Sequence, residues 1–231
     1  MKKFYLFVLV FFILSCSKEN EIEPPFCNGT ITELGIINVN PNSLSFIPYS
    51  GEENIYFRNE NGDEVKFEPA FGPKKNVFQD NTFEITCDNG GVDYYKFIRE
   101  QYAVSFKCIE LNLEYYLNLY THNSSIYPIF VDEFWLRLLI PPTENNISFP
   151  IFLNIITSFN GNEDLLKDEF ESFDNYEFVD ELELLNMTFN NVYKITDLEN
   201  RSLLTELYFN KDYGVIGFKS ESNIWVFNRF E

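Results

Sequence analysis

Histidine is almost absent from this 231-residue chain, which contains His122 alone. A serine triad would have to use this residue, yet the nearby Ser124 belongs to the same short polar stretch and no Gly-x-Ser-x-Gly elbow occurs. Neighbouring loop residues seldom face each other in a geometry that allows proton transfer. We therefore interpret His122 as a solvated turn residue, and we predict no catalytic residue and no cofactor.

Basic residues are also scarce, because 17 Lys and Arg stand against 36 Asp and Glu, giving a formal net charge of −19. A surface this negative repels phosphate backbones and anionic headgroups. We expect no nucleic-acid partner.

Long apolar runs are missing except at the amino terminus, where residues 4–14 are uniformly apolar. A membrane-spanning helix needs roughly 20 such residues, so this run is too short to span. Lys2 and Lys3 precede it, and Ser15 and Cys16 follow it. A basic start, a short apolar core and a small residue before the cut predict a secretory signal.

The segment Ile13-Leu14-Ser15-Cys16 resembles the lipobox of bacterial lipoproteins. The resemblance implies cleavage before Cys16, a thioether-linked diacylglyceryl group on its sulfur and an acyl chain on its new amino terminus. Two or more chains hold a protein stably on a bilayer, at about 0.8 kcal/mol for each buried methylene. The alternative is an ordinary secretory signal with an incidental cysteine.

The charged residues 17–21 are similar to the tether of surface-exposed lipoproteins of the Bacteroidota type, and the resemblance implies an outer-membrane location with the domain on the cell surface. They also suit a solvated spacer that ends at Pro24-Pro25. We predict a signal peptide over 1–15, a lipidated amino terminus and spacer over 16–30, and a single β-rich domain over 31–231. Loss of the signal's two lysines lowers the formal net charge to −21.

Aromatic residues are abundant, with 26 Phe and 14 Tyr. Such residues suit strands, whereas a helical protein would use more Ala, Leu, Glu and Lys at regular spacing. We predict an all-β fold, mainly an antiparallel meander forming a sandwich or half-barrel, with at most one or two short helices.

A hairpin is predicted around Asn61-Gly62, where two alternating runs meet. A three-residue loop over 60–62 pairs Phe57 with Val65 and keeps apolar residues opposite each other, with Gly62 left-handed.

Strict alternation predicts one strand over 104–120, with Ile109 to Leu119 on one parity. A capping residue and early acids predict a short helix over 162–170. The remaining predicted strands are 134–140, 149–156, 178–185, 189–196, 203–209, 215–218 and 224–230.

The stretch Tyr208–Phe218, followed by Trp225, resembles the carboxy-terminal hairpin of many uncharacterised Bacteroidota-type lipoproteins. The preceding strand, Thr188–Ile195, is similar as well. This resemblance covers about a quarter of the chain, carries no catalytic motif and implies family membership alone.

Beyond Cys16 the chain has three cysteines, Cys27, Cys87 and Cys108. No two of them lie at a ligand-like spacing, so we predict no metal site. An exported protein keeps disulfides, and three pairings are possible. We favour Cys87 with Cys108, because closing a loop of about 20 residues would stabilise the fold by roughly 3 kcal/mol. Three free, buried thiols are the alternative.

Acidic residues crowd the span 163–183 and the loop 88–93 combines acids with glycines. We interpret the first as a solvated acidic face and the second as a tight turn, in preference to a carboxylate pair or a calcium loop. Some aromatic residues could stack on sugars, although most must fill the core. The residues considered for stacking are Tyr94, Tyr95, Tyr115, Tyr116 and Trp135.

Three functional hypotheses remain open. The first is an exported, lipid-anchored protein whose β domain binds a ligand or partner, or supports the envelope, without catalysis. The second is a carrier of a lipid or another apolar ligand in a half-barrel cavity, and the third is a carboxylate-dependent hydrolase.

Overall fold

The computed structural model describes residues 27–71, 74–87, 89–124, 129–139, 151–160, 176–196, 204–220 and 223–231. Within these ranges the chain is all-β, as predicted, and one 3₁₀ turn at Ser43–Phe46 is its helical element. The strands are β1 Ile31–Ile37, β2 Ile55–Asn59, β3 Glu64–Pro69, β4 Lys75–Thr86, β5 Val92–Cys108, β6 Leu113–Ser124, β7 Ile129–Leu139, β8 Ile151–Asn160, β9 Tyr176–Leu184, β10 Met187–Ile195, β11 Leu204–Asn210, β12 Gly214–Ser220 and β13 Ile224–Phe230. None of the described ranges contains a helix of the length and apolarity that a membrane crossing requires.

The thirteen strands of the described ranges belong to one sheet, in the order β8-β7-β6-β5-β3-β2-β13-β12-β11-β10-β9, with β1 and β4 added to β5. The described pairings are antiparallel except β1 with β5, which run parallel. Most neighbours are consecutive in sequence, which is the predicted meander. The pairing of β2 with β13 joins the two ends of the chain across the middle of the sheet.

The sheet curls so that its two arms pack against each other. Phe134 on β7 lies 5.0 Å from Phe209 on β11, measured between ring centroids. Phe46, from the 3₁₀ turn, lies 5.2 Å from Phe134 and 6.4 Å from Phe209. The turn therefore inserts an aromatic side chain between the arms, and the concave side of the sheet is a packed core.

The predicted β2–β3 hairpin is confirmed in its register. Phe57 pairs with Val65, and Ile55 pairs with Phe67. Gly62 has φ +87° in the three-residue loop, a conformation that costs glycine little.

The predicted single strand over 104–120 is wrong, because the chain turns at Ile109–Asn112 between β5 and β6. Asn112 has φ +50°, and Ile109 is 76 % exposed. The loop residues Ile109 and Leu111 share the odd parity of the apolar residues of β6, so the alternation starts inside the loop and hides the turn, although the core residues of β5, Val104 and Phe106, are even-numbered. The alternation predicted for 113–119 is confirmed within β6.

The carboxy-terminal strands match the predicted hairpins. Leu185 and Asn186 both have positive φ, +47° and +66°, which is the two-residue turn typical of a tight hairpin between β9 and β10. The helix predicted over 162–170 lies outside the described residues.

Strand β5 has 17 residues and spans roughly 55 Å at about 3.3 Å per residue. Its first half lies between β1 and β4, and its second half pairs with β6. Cys87 lies beside the start of β5, since its N–H donates to the Gly91 carbonyl, whereas Cys108 ends the strand.

The predicted pairing of Cys87 with Cys108 is wrong. Cys87 forms a disulfide with Cys27, with a Cα–Cα distance of 5.5 Å, and Cys108 is a buried free thiol. The length of β5 separates Cys87 from Cys108, whereas the parallel docking of β1 brings Cys27 to the correct end.

Candidate functional site

Four side chains form a continuous stack across the outward face of β5, β6 and β7. The Arg99 guanidinium carbon lies 4.7 Å from the centroid of the Tyr120 ring. Tyr120 meets the Trp135 ring edge-on at 5.1 Å, and the Arg137 guanidinium carbon lies 4.1 Å from the Trp135 ring. We call these four residues the ladder.

Strand register explains why these side chains meet. Tyr120 pairs with Glu133, and Asn118 pairs with Trp135, so these four side chains project from the same face of the β6–β7 strand pair. Gln101 pairs with Tyr120 from the other side, and its amide donates to the Asn118 amide oxygen at 2.8 Å. Alternation along three adjacent strands thus concentrates polar and aromatic groups on one face.

Glu133 is the hub of this face and is only 6 % exposed. Its carboxylate accepts hydrogen bonds from the Tyr120 hydroxyl and, at 2.6 Å, from the Asn154 amide nitrogen. The Nε2 atom of His122 lies 3.3 Å from the same carboxylate. A buried charge is tolerated when several donors satisfy it, and Glu133 has them.

Burial raises the pKa of Tyr120, and the neighbouring Glu133 carboxylate raises it further. The phenol therefore stays protonated at neutral pH and donates to Glu133. The arrangement has one carboxylate, already bound by its neighbours, and no activated nucleophile beside it. It suits recognition of a bound molecule and offers no pair of acids for hydrolysis.

The opposite face of β7 carries a second buried acid, Asp132, whose partners differ from those of Glu133. The carboxylate of Asp132 accepts hydrogen bonds from the Asn40 N–H at 2.7 Å, the Ser43 hydroxyl at 2.8 Å and the Thr121 hydroxyl at 2.8 Å. Glu100 accepts the Val39 N–H at 2.9 Å. Both acids hold the segment that leads into the 3₁₀ turn, so we assign them a structural role.

The interpretation of His122 as a turn residue is wrong, because it lies within β6 with a side chain 27 % exposed and faces Glu133. Of the aromatic residues considered for stacking, Trp135 belongs to the ladder and Tyr116 pairs with Arg137 beside it. Tyr115 is a core residue, whereas Tyr94 and Tyr95 lie on the far half of β5.

The acidic span divides at the limit of the described residues, since 163–175 lies outside them. Its described part is β9, an exposed edge strand in which Glu177 is 67 % exposed and lies 3.8 Å from Lys194. Nowhere in the described ranges do three or more His, Cys, Asp or Glu residues come together as they would around a metal ion.

The loop before β5 is a tight turn, as predicted, with Gly90 N–H donating to the Cys87 carbonyl at 2.8 Å. Asp88 lies outside the described residues. The Asp93 carboxylate accepts the N–H groups of Asn28 at 3.0 Å and Thr30 at 2.9 Å. The Asp93 carboxylate thus accepts hydrogen bonds from the backbone of the amino-terminal segment.

An apolar pocket of about 150 Å³ lies at the far end of β5, where the β5–β6 turn meets β11, β12 and β13. Leu111, Leu204, Phe218 and Trp225 contribute to its lining. The concave side of the sheet is filled by Phe46 and its neighbours. The described residues therefore lend no support to an acyl-chain carrier.

Sequence reasoning missed Arg99, Glu133 and Arg137. The signal that could have found them is the parity of β6 and β7, which places one polar or aromatic residue after another on the face opposite the leucines. This pattern indicates a shared face only when the pairing of β6 with β7 is known.

No family model matches the chain, and no match is found among the curated proteins or the solved structures.

Proposed function

We propose that this chain is an exported protein that lipid on Cys16 holds on the outer membrane, and that its β domain binds a ligand there without catalysing a reaction. The disulfide between Cys27 and Cys87 carries the proposal of export. Disulfides persist in oxidising compartments and are rare in reducing ones. A basic, apolar and Ser-Cys start directs a chain to such a compartment.

The same disulfide supports an anchor close to the amino-terminal side of the domain. It fixes Cys27, eleven residues after Cys16, to the start of β5. A fully extended tether of this length spans at most about 40 Å, at up to roughly 3.6 Å per residue. The lipid would therefore hold the start of the domain within about 40 Å of the bilayer.

The ladder supports the proposal of binding. It places two half-buried guanidinium groups, the half-buried Trp135 ring and several amides on one face above the buried Tyr120 ring, while the carboxylate at its centre is already hydrogen-bonded. Groups of this kind at protein surfaces recognise ligands by stacking and directed hydrogen bonds. A structural role of the whole domain in the envelope would not require them.

The anchor is tested by expressing the wild type and a Cys16→Ala variant and separating membrane from soluble fractions. The matched control is Cys108→Ala, which removes another single thiol. We expect the wild type and the control in the membrane fraction, accessible to protease on intact cells, and Cys16→Ala in the soluble fraction. Cys16→Ala that remains with the membrane would refute the lipid anchor.

A further inference from the structure

A small apolar pocket lies at the opposite end of β5 from the disulfide, and it shares no residue with the ladder. The turn between β5 and β6 covers one side of it with Leu111, Asn112 and Leu113, and strands β11, β12 and β13 form the other side. Its volume is about 150 Å³, and it is partly open to solvent. A ligand can therefore enter it from the surface.

Strand register places two aromatic rings in the wall of this pocket. Phe218 on β12 pairs with Trp225 on β13, and their rings lie 23° from parallel with centroids 6.3 Å apart. Leu204 on β11 pairs with Ser220 beside them. Phe218, Trp225 and Leu204 are 2 %, 7 % and 4 % exposed, so the sheet holds the floor of the pocket in place.

The lining of the pocket is neutral on a strongly negative molecule. None of the residues that line it in the described ranges is charged, although the chain has a formal net charge of −19. Asn112 and Ser220 carry its polar side chains; Asn112 lies on the exposed turn, and Ser220 Oγ already donates to the Asn223 carbonyl. A charged group would lose water inside the pocket without gaining a partner of opposite sign. The lining therefore selects a neutral ligand whose polar group lies at the mouth.

Size and wall chemistry together define the ligand. An apolar cavity of roughly 150 Å³ takes up a molecule the size of benzene. The rings of Phe218 and Trp225 favour an aromatic partner, because aromatic rings pack offset or edge to face with centroids about 4.5–7 Å apart. We infer that this pocket binds a small, neutral molecule built on one aromatic ring, with its polar group toward Asn112. The inference goes beyond the proposed function, because it assigns a ligand class to a second site.

The probe is benzyl alcohol, and the matched control is straight-chain heptanol, which has the same number of carbon atoms and one hydroxyl but no ring. The full chain is kept in lipid nanodiscs, or in buffer if it proves to carry no lipid, because detergent would compete for an apolar pocket. Dialysis gives the free concentration of each alcohol. The chain has two tryptophans, so NMR resolves two indole N–H signals. Trp225 reports on the pocket, and Trp135 in the ladder is the internal reference.

The two alcohols separate a ring site from a site for any apolar chain. We expect benzyl alcohol to shift the Trp225 signal saturably, with a dissociation constant on the order of 1 mM, and to leave the Trp135 signal in place. Heptanol is the more apolar of the two, so burial of apolar surface alone would favour it. It should nevertheless bind about tenfold more weakly, because an extended chain does not fit a compact pocket.

Variants that fill the pocket locate the site. Leu111→Phe should weaken binding of benzyl alcohol about tenfold or more, because the added ring occupies the space of the ligand. Ile109→Phe is the matched control, since it adds the same ring to the same turn at a position that is 76 % exposed, and it should leave the affinity unchanged. Thermal unfolding shows whether each variant is folded. Leu204→Phe fills the pocket from β11 and provides the second test if Leu111→Phe does not fold.

Four results would overturn the inference. These are a Trp225 signal that benzyl alcohol does not move, equal movement of both indole signals, tighter binding of heptanol than of benzyl alcohol, and full affinity in the folded pocket-filling variants. Each leaves the Cys16→Ala fractionation result untouched, so failure of this ligand and failure of the lipid anchor are separately visible.

Discussion

The hydroxyl oxygen of Tyr49 accepts the N–H of Val215 at 2.7 Å, which presses the phenol ring against Gly214. A Cβ at Gly214 would lie 2.1 Å from that oxygen, and φ there is +77°. The buried ring thereby joins the segment after the 3₁₀ turn to the start of β12.

Gly214→Ala should therefore lower the free energy of unfolding by about 3 kcal/mol, since a left-handed backbone and an overpacked ring contact both add cost. Gly62→Ala is the matched control, because Gly62 has φ +87° but no atom within 4 Å of a Cβ. It should lose about 1 kcal/mol, from the backbone alone. Urea unfolding measures both, and equal losses would contradict the contact with Tyr49.

Removing the disulfide by a Cys27→Ala, Cys87→Ala double substitution should cost about 4 kcal/mol. The bridge closes a loop with a sequence separation of 60, and the chain-entropy model gives this magnitude for such a loop. Cys108→Ala, which removes a free buried thiol, should cost about 1 kcal/mol. Peptide mapping under non-reducing conditions should link Cys27 to Cys87; a peptide linking Cys87 to Cys108 would contradict the structure.

The stability of the amino-terminal segment should depend on pH through Asp93. Hydrogen bonds from the backbone N–H of Thr30 and, against the opposing effect of burial, from Asn28 lower the pKa of Asp93 below its usual value. A group with a depressed folded pKa stabilises the fold above its unfolded pKa, which is about 3.9 for Asp, and this stabilisation is lost as pH falls through the folded pKa.

Asp93→Asn should thus be less stable than the wild type at pH 7, and the difference should shrink as pH falls below about 4. Asp212→Asn, on the exposed turn before β12, is the control for loss of one surface carboxylate and should change stability at pH 7 by less than about 0.5 kcal/mol. Unfolding free energies from pH 2 to 8 measure the effect. A difference that stays constant across this range would argue against the ionised form of Asp93 as the acceptor.

Glu133→Ala should lower the free energy of unfolding by about 3 kcal/mol, because it leaves the Tyr120 hydroxyl and the Asn154 amide unpaired in a buried place. Glu177→Ala removes a carboxylate from exposed β9 and should change stability by less than about 0.5 kcal/mol. Denaturant unfolding checks both variants. A loss at Glu133 no larger than at Glu177 would mean that the hub contributes nothing to the fold.

Local patterns predicted the parts of this fold that local contacts determine. The β2–β3 hairpin was predictable because pairing Phe57 with Val65 keeps apolar residues opposite each other across a short loop. The turn at Ile109–Asn112 was missed, because Ile109 and Leu111 extend the odd-numbered alternation of β6 into the loop, whereas the core residues of β5 are even-numbered.

Pairings between strands that are far apart in the sequence could not be predicted. The parallel docking of β1 on β5 places Cys27 beside Cys87, and nothing in the residues near Cys27 indicates this. The ladder has the same origin, because it needs Arg99, Tyr120 and Trp135 on three adjacent strands. Each of these residues alone is compatible with an ordinary strand position, and only the strand register shows that their side chains meet.

The disulfide at Cys27 also determines how the domain would respond to force. If lipid holds Cys16, a pull on the tether enters the fold at Cys27 and passes through the covalent bridge to Cys87 and the β4–β5 hairpin. It therefore reaches the antiparallel core without first stripping β1 from β5, whose parallel hydrogen bonds lie downstream of the bridge. Reduction of this disulfide would transfer the force to β1, whose hydrogen bonds to β5 would then have to resist it and would break one after another.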